Sequence, residues 1–172
     1  MSFSIEKDDS LVFLDRTYKY FEEYVYIKAV SEDYYVSLYN LKSFDFKNPV
    51  VMSGIDRSLF LIRRGLDTVD RYTITVSFLS MISPSLYLRH EHGSIKFAKR
   101  EDSILFRQDS TFLMHFNYKE NLFAFQPVNL PKHIFVTYTN DRNRSLFLAG
   151  YSKDITLQRL PLNALFTIVP TR

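Results

Sequence analysis

The chain has 172 residues, 46% of them hydrophobic, with no cysteine and with 22 basic side chains against 19 acidic ones. That length suits one globular domain burying very roughly 70% of the surface its unfolded chain exposes, and the missing cysteines exclude thiol catalysis, zinc thiolate sites and disulfides. The net charge of +3 is interspersed rather than gathered into a face or stripe, so no nucleic-acid partner is expected; no apolar run reaches the ~20 residues that cross a bilayer, so none is expected with a membrane either.

In chain order, the N-terminal "MSFSIEKDDS" carries acids where a signal peptide carries bases and then an apolar core; the expected location is cytoplasmic, unless a leader has been removed. "DRTYKYFEEYVYIK", from Asp15 to Lys28, fits either period, but its β-branched and aromatic end favours a strand and leaves one helical turn near Tyr18 to Glu22. Period-two alternation then recurs in "YVYIKAV", "YYVSLYNL", "YTITVSFLS", "SIKFAK", "FVTYTN" and "SLFLAG". Polar turns such as Ser31-Glu32-Asp33, Glu91-His92-Gly93 and Asn140-Asp141-Arg142 separate these runs. Aromatic residues, all Phe and Tyr, make up 16% of the chain against only 4 Gly and 6 Pro. The balance is that of an all-β protein.

Internal repetition narrows the architecture. "RSLFLIRRG" at 57–65, "DSTFLMHFN" at 109–117 and "NALFTIVPT" at 163–171 align on Phe60, Phe112 and Phe166, at spacings of 52 and 54 residues. Upstream, "VSFLSMISPSLYLRH" aligns with "FAFQPVNLPKHIFVT", setting Phe78 over Phe125, Pro84 over Pro131 and Tyr87 over Ile134. Three units of four strands, over about 10–63, 72–118 and 122–169, predict a single β-trefoil domain, a closed six-stranded barrel capped by three hairpins. No unit is expected to fold alone. Unit one is expected to be the most irregular, because the step from Phe13 to Tyr26 exceeds the nine residues from Phe78 to Tyr87.

The middle unit resembles the repeat of the arabinofuranosidase-B-type domain, a β-trefoil carbohydrate-binding module. The elements that carry the likeness are Ser77-Phe78, Pro84, Tyr87-Leu88-Arg89-His90 and Asp109-Ser110-Thr111-Phe112. The third unit matches in outline and the first only at its end. The resemblance implies one potential pocket for an arabinofuranose side chain per unit, lined by polar groups that include a histidine and an aspartate. Position by position it implies His90 and Asp109, a carboxylate able to accept from two hydroxyls and an imidazole able to donate or accept a third bond. Unit three has Thr137 and Asn163 at these positions, and unit one has Arg57 with Asp56 displaced by one, so one pocket in three is implied.

Structural roles compete with this reading. His90 at a barrel mouth can bond a backbone carbonyl, and Asp109 can cap the turn before the last strand of its unit. His90 and His92 lack a third ligand at suitable spacing, so no metal is expected; nor is a cofactor. There is no Gly-rich phosphate loop, nucleophile elbow or zinc-protease helix, and no carboxylate pair stands out for glycoside hydrolysis. The glycosylation sequon at Asn143 lies in the charged loop "NDRNRS" and is explained by that loop. A non-catalytic binding domain is therefore expected. Two lost pockets and the missing tryptophan favour an intracellular domain that docks a protein partner, with carbohydrate binding through His90 and Asp109 as the alternative. If that pocket is exposed, Asp109→Ala is expected to abolish binding at little cost in stability.

Overall fold

The computed structural model describes residues 21–30, 32–38, 50–53, 57–69, 73–81, 86–117 and 119–171, with the backbone alone at 50–53. Phe13, Asp56, Pro84 and most of the helical turn expected near Tyr18 to Glu22 lie outside the described residues. Phe21 and Glu22 form a turn into the first strand.

Twelve strands run through the described residues: β1 (Glu23–Ala29), β2 (Tyr34–Ser37), β3 (Val50–Ser53), β4 (Phe60–Arg64), β5 (Thr75–Ser80), β6 (Leu86–Glu91), β7 (Ser94–Ala98), β8 (Phe112–Asn117), β9 (Leu122–Pro127), β10 (Ile134–Tyr138), β11 (Leu146–Gly150) and β12 (Phe166–Pro170). Six of them close a ring of antiparallel pairs, β1 to β4, β4 to β5, β5 to β8, β8 to β9, β9 to β12 and β12 back to β1. The other six form three hairpins, β2 with β3, β6 with β7 and β10 with β11. The all-β expectation is met. Among the described residues no helix is long and apolar enough to cross a membrane.

Register shows what the repeated phenylalanines do. Val25 pairs with Phe60, Val76 with Phe112 and Phe123 with Phe166, so the same step recurs at each unit's first and last strand. Phe60, Phe112 and Phe166 are buried, as are Phe78 and Phe125, whose rings meet edge to face at 4.9 Å. Two residues beyond Val25, Val76 and Phe123 stand Ile27, Phe78 and Phe125, and these three line one small apolar void with Val36, Leu88 and Val136. Alternation puts every second side chain on the barrel interior, which is why the apolar runs of the sequence have period two.

Three details differ from the sequence reading. Tyr26 lies in the first barrel strand, and Ile27 stands where Phe78 and Phe125 stand. In unit three Val136 and Tyr138 join the barrel core, which leaves Thr137 on the other face and makes it the counterpart of Arg89 rather than of His90. The loop from Phe125 to β10 carries one extra residue, and a one-residue slip in a strand exchanges its faces. Finally, Asp109 does not end a strand. It closes a short helix, α1 (Ile104–Asp109), whose N-cap Ser103 accepts a hydrogen bond from the Phe106 amide at 3.0 Å and which buries Phe106 and Asp109.

Two substitutions check this packing. Phe78→Ala should cost ~3–5 kcal/mol in chemical denaturation, the usual loss for a fully buried aromatic ring. At Gly65, after β4, an added Cβ would lie 2.5 Å from Thr75 Oγ1 and 2.8 Å from the Asp67 carbonyl oxygen. Gly65→Ala should therefore cost ~1–3 kcal/mol; a variant as stable as the parent would show that this loop is not held against β5.

Candidate functional site

The β6–β7 hairpin turns on His92 and Gly93, with Glu91 paired to Ser94 on either side. Both turn residues have positive φ, 51° and 82°, which the right-handed twist of a two-residue hairpin demands. His92 is exposed at the tip, and its role is conformational.

His90 and Asp109 do converge. His90 Nε2 lies 3.4 Å from Asp109 Oδ1, the one residue supplied by β6 and the other by the end of α1. They are not, however, at an open rim. Both are buried, His90 at 6% exposure and Asp109 at 5%, and two further side chains complete the cluster. Arg89 reaches Asp109 Oδ2 with a guanidinium nitrogen at 2.5 Å and lays its guanidinium over the Phe106 ring, 5.0 Å from the centroid. On the outer side Asn129, exposed in the turn after β9, donates from Nδ2 to Asp109 Oδ1 at 2.8 Å and places Oδ1 2.7 Å from His90 Nε2. The carboxylate fixes the amide's orientation, because a flipped amide would set oxygen against oxygen. His90 Nε2 then carries the proton in this bond. Among the described residues no cluster of three or more His, Cys, Asp or Glu side chains is placed to hold a metal ion.

Neither His90 nor Asp109 makes the local contact considered from the sequence. His90 bonds side chains, not a backbone carbonyl, and Asp109 is bound to Arg89 and Asn129 rather than capping a turn. Asp109→Ala would strand a buried guanidinium, so the low stability cost expected for an exposed carboxylate does not apply. Arg89 stood in the Tyr-x-Arg-His stretch but was not picked out; Asn129 gave no signal, since it comes from the next unit and meets the cluster only in three dimensions.

At the hairpin rim the Glu91 carboxylate receives Lys96 Nζ at 2.6 Å. The Lys96 hydrogen bond, aided by the nearby Arg89 charge, holds Glu91 below the ordinary carboxylate range. This contribution to stability is full above the usual Glu value and fades as pH falls through the lowered one.

Among the described residues, the corresponding places in the other units hold no such pair. Thr137 bonds the Tyr151 hydroxyl at 2.9 Å and Asn163 donates to the Tyr138 carbonyl at 2.8 Å, while Phe135, Leu157, Leu160 and Leu165 build a second apolar cluster there. In unit one Arg57 sits over the Tyr26 ring at 4.2 Å.

Among the described residues, a closed six-stranded barrel with three hairpins carries a buried His-Asp cluster at the middle one, and the comparisons place this arrangement in a family. Residues 27–156 match the family described as the alpha-L-arabinofuranosidase B (ABFB) domain. The chain belongs to that family. A search of curated proteins gives no match. Among solved structures, an arabinofuranosidase complexed with arabinofuranosyl-alpha-1,2-xylobiose is similar at a TM-score of 0.63 and 14% identity, over 87% of this chain and 31% of that one. The present chain thus spans about a third of that enzyme. A designed 3-fold symmetric protein, ThreeFoil, matches at a TM-score of 0.59 and 11% identity, over 85% of this chain and 97% of that one. A ricin B-like lectin from Macrolepiota procera, in complex with lactose, matches at 0.55 and 10% identity, over 87% and 96%.

Two measurements test the electrostatics. Arg89→Met should destabilise by ~3–5 kcal/mol, because it leaves a buried carboxylate without its cation, and adding Asp109→Leu should recover most of the loss. Lys96→Met should return the Glu91 titration, followed by carboxyl-carbon NMR, towards the ordinary glutamate range; no change would show that the Lys96 contact is absent in solution.

Proposed function

We propose that this chain is a non-catalytic carbohydrate-binding module of the β-trefoil type, with three pseudo-equivalent four-stranded repeats, and that it recognises a furanose side chain at the middle repeat. The closed ring, the three hairpins and the recurring Val25–Phe60, Val76–Phe112 and Phe123–Phe166 register support the trefoil reading. Membership of the arabinofuranosidase B domain family supports sugar as the ligand class. The observation that carries the site is the convergence of His90 and Asp109, one donor and one carboxylate oxygen 3.4 Å apart, a spacing at which a single sugar hydroxyl can accept from the first and donate to the second. The sequence favoured a protein-docking domain over a sugar binder; the family match and the sugar-bound relatives reverse that order, and no observation favours a protein partner.

The test is calorimetric titration of the purified chain with arabinofuranosyl-α-1,2-xylobiose, alongside a glycan array. Binding to arabinofuranosyl ligands and its loss in His90→Ala, with the fold retained by circular dichroism, are the expected results. An array without furanoside hits, together with no heat of binding, would overturn the reading.

A further inference from the structure

We infer that Asn129 is a built-in occupant of the middle-repeat pocket, an amide that takes the place of a sugar hydroxyl and sets the affinity of the site; the inference rests on the sugar-binding reading above. Its two polar atoms satisfy the two groups a ligand would need, accepting from His90 Nε2 at 2.7 Å and donating to Asp109 Oδ1 at 2.8 Å. A hydroxyl makes the same pair of bonds with one oxygen.

The cluster has two unlike halves. On the inside, Asp109 Oδ2 is held by Arg89, and both side chains are 7% exposed; this half cannot be released without leaving a buried charge unpaired. On the outside, Asp109 Oδ1 and His90 Nε2 are closed by Asn129, which is exposed. The turn that carries Asn129 is fixed by backbone bonds independent of its side chain, from the Val128 amide to the Thr111 carbonyl at 3.0 Å and from the Ile134 amide to the Pro131 carbonyl at 3.1 Å. Opening the site therefore takes a rotation about the Asn129 side-chain torsions, a fast motion at an exposed residue, and no movement of the fold. Because ligand and amide compete for the same two atoms, the observed affinity is the intrinsic one multiplied down by the fraction of molecules in which Asn129 has swung away. Arg89 fixes and neutralises the carboxylate; Asn129 decides how often it is open.

The experiment compares the parent chain, Asn129→Ala, Asn129→Gly and, as a control from the same turn, the exposed Lys132→Ala, each titrated with arabinofuranosyl-α-1,2-xylobiose. The two Asn129 variants should bind tenfold or more tightly than the parent, with Lys132→Ala unchanged. In the parent, saturating ligand should shift the Asn129 side-chain amide resonances towards the positions of a solvated amide, a readout that needs no variant to fold. Asn129 variants that bind equally or more weakly, or parent amide resonances that stay in place while ligand binds, would overturn the occupant and leave the sugar reading intact. Absence of binding in all four proteins would overturn both.

Discussion

Closure of the barrel is the constraint on which everything else depends. β12, near one end of the chain, hydrogen-bonds both β1, near the other, and β9, so the ring is complete only when all three units are present. A closed ring has no free edge, and its interior must be filled with side chains. This chain fills it with phenylalanine, Phe60, Phe78, Phe112, Phe125 and Phe166 all buried, which accounts for the high aromatic content and for the spacing at which it repeats.

With the interior committed to apolar packing, differences between the units collect at the hairpins. Unit one places Arg57 over Tyr26 and Tyr35. Unit three covers its hairpin with Leu157, Leu160 and Leu165. Unit two brings together a cation, an imidazole and a carboxylate, and charges taken out of water are tolerated only when paired and hydrogen-bonded. Arg89 meets that requirement from within the unit, and Asn129 meets it from the next one. The candidate site therefore lies between two repeats, although its charged residues belong to one.

Much of the fold was legible because period two survives any loop. Phe60, Phe112 and Phe166 were assigned to equivalent inner positions from spacing alone, and their strand pairings agree. The misreadings are local. Thr137 was set against His90 by counting from Phe125, and one additional loop residue moved it to the opposite face. No helix is expected at 104–109, because "SILFRQD" has too few residues to show a helical period; in the structure Ser103 caps a helix there and Phe106 packs against the Tyr87 ring, 6.3 Å away.

The sequence by itself determined an all-β chain and the repeat that sets its inner positions, while His90 and Asp109 were implied by the resemblance of the middle unit to the arabinofuranosidase-B-type repeat. The tertiary structure decided whether they are open. Burial is a sum over neighbours distant in the chain: Asn129 is 39 residues from His90 and 20 from Asp109, and no local pattern records that its amide closes over them. Nor does the sequence show that Arg89 spends its charge on Asp109, because an arginine in a strand reads the same whether it faces water or a buried carboxylate, and only the packing of α1 against β6 separates the two.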